Sequence, residues 1–325
     1  MRIMQIIDQV RTRHHLRFDK LIPALQQMFV EGCEVPLRHR HDIGGQGGSI
    51  LLMPAWQAGG FLGIKTVSIF PANREHGLPS VHAAYLLMDA ATGVPLAMLD
   101  GNEITARRTA AASALAARYL ARRDAQRLLV VGGGRVARLL PQAYLAVRPI
   151  TRVMVWTRRR DPGLRLVEEL RSDGFDAILN EDLKAAVGAA DIVSCATLSE
   201  TPLVHGAWLA PGTHLDLIGG FAPAMRESDD ACFAGSRVFI DTEEALLKAG
   251  DLLAPIASGV FRAADVCATL TGLCRSSHAG RADAREVTVF KSVGSALEDL
   301  AAATLVYLSE DAIAANHQNA GPQPS

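Results

Sequence analysis

The sequence predicts an α/β protein in which a doubly wound parallel sheet of the Rossmann type is joined to an α+β domain. Two observations lead to this fold class. After residue 126, short apolar segments alternate with amphipathic helical segments, the pattern of a parallel sheet covered by helices. Before residue 100, strand-like segments follow one another closely between Gly, Pro and Asn residues, which favours a mainly antiparallel sheet.

The first region is expected to contain a helix followed by four strands. Apolar residues recur at helical spacing over residues 19–29. Strands are predicted at residues 49–53, 62–70, 83–89 and 95–99. An Ala-rich segment, residues 105–121, then predicts a long helix with Thr105 as its N-cap.

The second region is expected to alternate strands with helices. The strands are predicted at residues 127–131, 152–156, 192–195, 214–218 and 237–240. The helices are predicted at residues 136–147, 163–173, 183–189, 224–233 and 295–308. Because a typical domain holds about 100–200 residues, this chain of 325 residues is expected to form two domains.

The composition argues against several classes of protein. A net charge of −1 and an aromatic content of 5% do not favour a nucleic-acid partner or an acidic membrane surface. The sequence has no apolar stretch long enough for a membrane-spanning helix, and its start meets charge too soon for a signal peptide. The five scattered cysteines lack metal-site spacing. We therefore expect a cytoplasmic protein with reduced thiols and no metal.

The most specific motif is the segment RLLVVGGGRVA, residues 127–137. An apolar strand is followed by Gly132, Gly134 and Ala137, which fit the pattern G-x-G-x-x-G/A. In this pattern the first glycine allows a tight turn, the second lets the backbone approach a pyrophosphate, and the third position permits close packing. A helix N-terminus then faces the phosphates. The motif predicts a dinucleotide-binding loop, and the alternative is a glycine-rich turn between two elements.

The residues after the next strand indicate which dinucleotide is bound. An NAD-selective site usually places Asp or Glu there, about 20 residues after the glycines. This chain has Thr157, Arg158, Arg159 and Arg160 instead. A guanidinium fork suits a 2′-phosphate, so the sequence predicts NADPH, with NADH as the alternative. The other interpretation is that the three arginines form a solvated surface.

Three of the basic residues that precede the glycine motif are candidates for the site: Arg38, Lys65 and Arg108. In a regular strand over residues 62–70, Lys65 shares a face with Val67 and Ile69. From residue type alone, an exposed lysine at a sheet edge is the expected interpretation. Arg38 and Arg108 would likewise be a loop charge and a helix-surface charge. Arg108 also begins an Ala-rich helical stretch, where a cation is disfavoured and a carboxylate ligand would offset its charge.

Five segments give the chain a resemblance to a known family. They are LGIKTVSIF, DGNEITARRTAAASALAARYL, GGGRVA, DIVSCATLSETPL and TVFKSVGSALEDLAAATLVY. In this order they resemble the ornithine cyclodeaminase/mu-crystallin family over residues 36–308. The resemblance implies a Rossmann domain, placed at residues 119–293, and a substrate-binding and dimerisation domain at residues 1–118, completed by residues 294–325. It also implies a homodimer and a small imino or amino acid as substrate.

The resemblance implies roles for individual residues. Arg38 and Arg108 match arginines that hold the substrate carboxylate, and Lys65 matches a lysine beside the reacting carbon and nitrogen. Ser80 matches a small residue lining the site. With Gly132 and Gly134, the positions expected near the cofactor are Gly133, Arg135, Val136, Thr157, Arg158, Arg159, Thr197, Leu198, Ile218 and Ser292.

One departure from the family bears on the reaction. Ornithine cyclodeaminases and some alanine dehydrogenases carry an acidic residue where this chain has Phe221, and a phenyl ring cannot take a proton. The segment GGFAPAMRE resembles the family's pyrroline-2-carboxylate reductases instead. We therefore expect NADPH-dependent reduction of Δ1-pyrroline-2-carboxylate or Δ1-piperideine-2-carboxylate, to L-proline or L-pipecolate, with Phe221 as an apolar wall for the ring. The alternatives are an ornithine cyclodeaminase, an amino-acid dehydrogenase, and a noncatalytic NADPH-binding protein like mu-crystallin.

Overall fold

The computed structural model describes residues 3–44 and 47–319, in which the chain forms two compact units. The terminal unit comprises residues 1–108 with residues 295–325, and the central unit comprises residues 109–294. The sequence-based prediction placed the first boundary at residue 118. In the described residues, none of the helices combines the length and apolar character needed to span a bilayer.

Residues 3–120 contain six strands and three helices in the described ranges. The strands are β1 (Gln5–Ile7), β2 (His39–Ile43), β3 (Gly48–Trp56), β4 (Phe61–Ile69), β5 (Val81–Asp89) and β6 (Pro95–Asp100). The helices are α1 (Gln9–His15), α2 (Phe18–Glu31) and α3 (Gly101–Leu120). The strands form one sheet in the order β1-β6-β5-β4-β3-β2. Neighbours from β6 to β2 are antiparallel, as predicted, and β1 pairs parallel with β6.

The rest of the described chain alternates strands with helices. The strands are β7 (Arg127–Val131), β8 (Arg152–Trp156), β9 (Ala177–Leu179), β10 (Ile192–Cys195), β11 (His214–Leu217), β12 (Arg237–Ile240), β13 (Val266–Thr269) and β14 (Thr288–Lys291). The helices are α4 (Arg135–Leu145), α5 (Arg160–Ser172), α6 (Leu183–Ala189), α7 (Ala245–Lys248), α8 (Gly250–Ala257), α9 (Leu270–Cys274) and α10 (Ala296–Asn319). The eight strands form a parallel sheet in the order β13-β12-β14-β11-β10-β7-β8-β9. The predicted fold class is therefore confirmed.

Strand β4 lies inside its sheet, and this determines the environment of Lys65. It pairs with β3 on one side and β5 on the other, and α10 packs against β3 and β4. Gly63, Lys65 and Val67 are buried on one face of β4, in the predicted alternation. Lys65 is only 1% exposed, so the expectation of an exposed edge lysine is wrong.

Helix α3 begins at Gly101 rather than near the predicted N-cap. The Asp100 side chain accepts the backbone N–H of Glu103 at 2.7 Å, which caps the helix, whereas the Thr105 hydroxyl donates to the Gly101 carbonyl inside it. Thr105 as N-cap is therefore wrong. Arg108 consequently lies beyond the first turn, where the helix dipole no longer disfavours a cation.

The helix predicted over residues 224–233 is also absent from the described structure. The Glu227 carbonyl accepts the backbone N–H groups of Leu203 and Val204, and Ser228 forms a bridge with Val204. These lateral bonds occupy backbone groups that a helix would use internally, because each carbonyl and N–H is an obligatory bonding group. A short 3-10 turn at Asp230–Cys232 is what remains.

Candidate active site

The predicted cofactor residues lie at one edge of the central sheet. The chain passes from β7 to β8 on one side and later returns to β10 on the other side, so β7 and β10 flank a topological switch point. Ligands of open α/β sheets bind at such points, outside the carboxyl ends of the strands. The predicted residues follow the carboxyl ends of five adjacent strands: Gly132–Val136 after β7, Thr157–Arg159 after β8, Thr197 and Leu198 after β10, Ile218 after β11, and Ser292 after β14.

The glycine turn has the geometry that its sequence predicts. Gly132 has a φ of 127°, and a Cβ there would lie 2.5 Å from the Ala196 carbonyl oxygen, so only glycine fits. A Cβ on Gly133 would lie 3.1 Å from Thr157 Cγ2. The turn therefore needs glycine at Gly132 for conformation and a small residue at Gly133 for packing.

The start of α4 fits a dinucleotide phosphate. In the described part of the chain, no atom outside its neighbours lies within 4 Å of the position a Gly134 Cβ would take. Gly134 is also the N-cap of α4, and no described side chain caps that helix. The helix N-terminus therefore presents backbone N–H groups beside open space, which is what an anionic pyrophosphate requires.

The segment after β8 presents cations at the same edge. Arg158 and Arg159 are exposed, and the Thr157 hydroxyl donates to the Arg159 carbonyl at 2.6 Å. Arg158 Nη2 lies 3.4 Å from the Ser199 hydroxyl, beside the loop after β10. In contrast, Asp161 lies in the first turn of α5 rather than at the strand end. Two exposed guanidinium groups therefore follow the carboxyl end of β8, at the position where an NAD-selective site usually has a carboxylate.

A buried network that the sequence analysis missed holds the loops at the carboxyl ends of β10 and β11. Lys291 Nζ lies 3.0 Å from Asp251 Oδ2, and both side chains are fully buried. The other Asp251 oxygen accepts the backbone N–H of Glu227 at 2.8 Å. Glu227 in turn accepts the backbone N–H and hydroxyl of Thr197, at 2.7 and 2.8 Å, and the backbone N–H of Gly219 at 2.6 Å.

Glu227 therefore fixes the loops after β10 and β11 with one carboxyl group. Burial raises the pKa of Glu227 to about 8, and the nearby Asp251 acts in the same direction against Lys291. Two glycines make the contact possible. A Cβ on Gly219 would lie 2.5 Å from Glu227 Oε1, and one on Gly220 would lie 2.2 Å from Asp251 Oδ2.

Phe221 follows these glycines and is 45% exposed. Its backbone N–H donates to the Gly219 carbonyl at 3.0 Å. Asp216, the acidic residue nearest in sequence on β11, is fully buried and accepts hydroxyl donors from Ser113, Tyr144 and Ser194. Burial raises the pKa of Asp216 to about 6. Asp216 is thus held inside the central unit and does not replace the acid missing at Phe221.

The terminal unit holds a second buried network, which contains the predicted catalytic residue Lys65 and the predicted substrate-binding residue Arg108. Lys65 Nζ lies 2.7 Å from Asp299 Oδ2. Arg108 Nε lies 2.9 Å from Asp299 Oδ1, and its Nη1 lies 2.7 Å from Glu298 Oε2. The carboxylates that offset the charge of Arg108 therefore come from α10 of the same chain. The sequence signal for them was the pair Glu298–Asp299 among the apolar residues at the start of α10.

Burial and neighbouring charges lower the pKa values of Lys65 and Asp299 in this network. Burial lowers the pKa of Lys65 to about 8, against the opposing charge of Asp299, and the charges of Arg108 and Arg38 lower it further. Burial alone would raise the pKa of Asp299, but Lys65 and Arg108 outweigh burial and keep its pKa below the usual value. Arg38 thus lies within electrostatic range of Lys65.

Tyr85 is a further residue that the sequence analysis missed. It pairs with Lys65 across β4 and β5, and its ring occupies the space over Gly63, where a Cβ would lie 1.9 Å from the phenolic oxygen. Within residues 3–44 and 47–319, the buried hydroxyl of Tyr85 has no hydrogen-bond partner. Ser80 comes just before β5 begins at Val81, which pairs with Ile69 at the end of β4. Its role in the site stays a prediction.

The parallel sheet, with a glycine turn at its switch point, defines a Rossmann-type protein. The sequence model of the ornithine cyclodeaminase/mu-crystallin family matches residues 3–313, and the chain belongs to this family. The predicted resemblance is confirmed.

Relatives and solved structures agree with this assignment. The chain is 47% identical to an uncharacterized protein of Schizosaccharomyces pombe, covering 88% of this chain and 92% of that protein. It is 43% identical to the Δ1-pyrroline-2-carboxylate reductase of Paracoccus denitrificans, covering 88% and 90% of the two chains. The structure of the Thermococcus litoralis Δ1-pyrroline-2-carboxylate reductase in complex with NADH and L-proline aligns with a TM-score of 0.88 at 33% identity, over 94% of this chain and 97% of that chain.

Proposed function

We propose that this protein reduces cyclic ketimine carboxylates, converting Δ1-pyrroline-2-carboxylate to L-proline and Δ1-piperideine-2-carboxylate to L-pipecolate, with NADPH as reductant. The observation that carries the proposal is the buried network around Lys65. It combines Lys65 and Arg108 with two carboxylates and has a third cation, Arg38, within electrostatic range. With all groups ionised it bears one positive charge in excess, which suits a substrate that carries one carboxylate.

Each residue has a defined task in this reaction. Arg38 and Arg108 bind the substrate carboxylate and fix the orientation of the imine, and such positioning can contribute about 7–11 kcal/mol to lowering the barrier. Lys65 donates a proton to the imine nitrogen, and a pKa of about 8 suits a general acid near neutral pH. A reduced nicotinamide, when bound, supplies the hydride that the imine carbon accepts. The proton and the hydride together convert the C=N bond to a secondary amine.

The residues of the central unit complete the proposal. The glycine turn and α4 bind the pyrophosphate, and Arg158 and Arg159 bind the 2′-phosphate. Since the Thermococcus litoralis relative was solved with NADH, the preference for NADPH rests on these arginines. Phe221 offers an apolar surface to the methylene groups of the ring. Assembly as a homodimer and a cytoplasmic location belong to the same proposal, and sedimentation analysis and cell fractionation test them.

The test is a substrate panel with the purified protein. We expect oxidation of NADPH with both cyclic imines, a lower kcat/KM with NADH, and no ammonia release from L-ornithine. Ammonia release from ornithine together with no imine reduction would assign the protein to the cyclodeaminases. Tight NADPH binding without turnover of any imine would assign it to the noncatalytic binding proteins.

A further inference from the structure

A basic cavity lies at the edge of the central sheet opposite to the glycine turn. Its volume is about 880 Å³. It is lined by the C-terminal turn of α3 and by the segments that precede β7, β11 and β14, and therefore lies at the amino ends of the parallel strands. Two aspartates and six arginines line it, namely Asp124, Asp283, Arg118, Arg122, Arg123, Arg148, Arg281 and Arg285.

Arg148 carries a buried charge, and no carboxylate among the described residues forms an ion pair with it. It is 8% exposed, and its Nη2 donates to the carbonyls of Ala117, Arg118 and Ala121 at 2.7–2.8 Å, at the end of α3. Its Nε is buried without a hydrogen-bond partner in the part of the chain that the structure describes. Burial lowers the pKa of Arg148, and the charges of Arg118 and Arg123 lower it further. An anion nearby would remove this cost.

Arg281, like Arg148, is a partly or fully buried arginine that donates mainly to backbone carbonyls. Among the described residues, its hydrogen bonds go to backbone carbonyls, including those of Leu120 and Thr213, and to the hydroxyl of Thr288. Burial lowers the pKa of Arg281 to about 10, against Glu286, and the charges of Arg122 and Arg148 act with burial. In the described residues, the hydrogen bonds of the buried Arg148 and the half-buried Arg281 therefore go to neutral acceptors.

The acidic residues nearby offset only part of this charge, because two aspartates line the cavity beside six arginines; Asp124 pairs with Arg122 at 3.3 Å, and Glu286 and Asp283 act on Arg281. Asp191 forms ion pairs with Arg122 at 2.8 Å and with Arg127 at 3.0 Å, so one carboxylate is shared by two guanidinium groups. The Asp283 side chain accepts the backbone N–H of Arg285 at 2.6 Å, and Asp124 is exposed. Arg123 and Arg285 are exposed lining residues whose side chains are available to a ligand.

We propose that this cavity binds a small phosphate-bearing anion of the size of a sugar phosphate or a nucleotide. Guanidinium groups form paired, charge-assisted hydrogen bonds with phosphate oxygens, which matches a cavity lined mainly by arginines. Cavities for ligands of this size measure about 300–1,000 Å³. The site is separate from the glycine turn, because the two lie at opposite ends of the same strands.

The test is calorimetric titration of the full-length protein with inorganic pyrophosphate at constant ionic strength, with saturating NADH present to occupy the glycine turn. We expect saturable binding that chloride does not reproduce. The R123E/R285E double variant should bind pyrophosphate at least about tenfold more weakly, since each charge-assisted bond contributes a tenfold factor or more. R165E, which makes the same charge change at an exposed arginine outside the cavity, should bind like the native protein.

Three results would overturn the proposal. They are the absence of saturable binding, equal affinity of the native protein and the R123E/R285E variant, and tighter binding of citrate than of pyrophosphate. Arg148 and Arg281 are left intact in this experiment because they also hold backbone carbonyls. The thermal unfolding midpoint of each variant serves as the check that the exposed substitutions leave the fold unchanged.

Discussion

The two units each bury a lysine beside an aspartate, but the surroundings of the two pairs differ. In the terminal unit, Lys65 and Asp299 are accompanied by Arg108, Glu298 and the nearby Arg38. In the central unit, Lys291 and Asp251 are accompanied by Glu227. The first network has an excess of cations, whereas the second has an excess of carboxyl groups.

We propose that this difference separates a ligand-binding role of the Lys65 network from a positioning role of the Lys291 network. The excess carboxyl group of the central network, Glu227, is already engaged by backbone N–H groups of the loops after β10 and β11. It shapes the edge that we propose for the dinucleotide. The excess positive charge around Lys65 is instead suited to an anion from outside the protein. We therefore propose that the two similar buried pairs serve different purposes, because their further partners are mainly cations in the terminal unit and a carboxyl group in the central unit.

The largest effect is expected from removing Arg108. Arg108→Ala leaves Glu298 and Asp299 buried with fewer donors, so we expect the unfolding free energy to fall by about 3–5 kcal/mol. Urea unfolding followed by circular dichroism measures it. Arg11→Ala is the matched control, because Arg11 is half exposed and its pair with Glu310 is worth about 0–1 kcal/mol. Equal losses in the two variants would contradict a special role for the buried network.

The Arg158→Ala variant tests the proposed 2′-phosphate site of the central unit. Loss of a charge-assisted bond to the 2′-phosphate should raise KM for NADPH at least about tenfold and leave KM for NADH unchanged. Initial rates at varied NADPH and NADH concentrations measure the two KM values. Arg160→Ala is the control, since Arg160 pairs with Glu181 at 2.9 Å instead. An equal rise of KM for both cofactors would place Arg158 elsewhere than at the 2′-phosphate.

The pH dependence of the rate tests the protonation of Lys65. The ammonium is the proton donor, and its pKa is about 8, so kcat at saturating dinucleotide should fall as the pH rises above that value. The expected fall is about tenfold per pH unit. Because Glu227 also has a raised pKa, the profile is repeated with Glu227→Gln, in which the fall should persist. A rate that rises above pH 8 would indicate that Lys65 acts as a base.

The smallest effect is expected from Glu227→Gln. The amide keeps one acceptor oxygen but loses a bond to the Thr197 or Gly219 backbone, a cost of about 1 kcal/mol or about fivefold. This should appear in KM for the dinucleotide and not in KM for the imine. Glu168→Gln, an exposed substitution on α5, is the control. A rise in both KM values would point to a general loss of structure rather than positioning.

The local sequence pattern predicted those secondary-structure elements that neighbouring residues alone determine. Five of the eight central strands were predicted from neighbouring residues alone, because most of them are short and largely apolar, and so was the glycine turn that follows β7. The helix over residues 224–233 was predicted wrongly because its backbone bonds to β-like partners far away, at Leu203 and Val204. Strands β9, β13 and β14, of three or four residues each, were not predicted.

The environment of Lys65 was predictable only in part, because local pattern shows the face of a strand but not its long-range partners. The face of Lys65 followed from strand alternation, but its burial depended on strands pairing on both sides of β4. Glu298 and Asp299 are more than 180 residues from Arg108, with separations of 190 and 191, and no local pattern links them. Buried ion networks are therefore the part of this molecule that only the three-dimensional structure reveals.

The most direct test of the account is the Lys65→Ala variant. Asp299 Oδ1 keeps its contact with Arg108, whereas Oδ2 loses Lys65, so the thermal unfolding midpoint of the variant is measured to check that the fold survives. We predict that kcat for Δ1-pyrroline-2-carboxylate falls by about 10²–10⁴ while the dissociation constant for NADPH is unchanged. Full turnover by this variant would contradict the proposed role of the buried lysine.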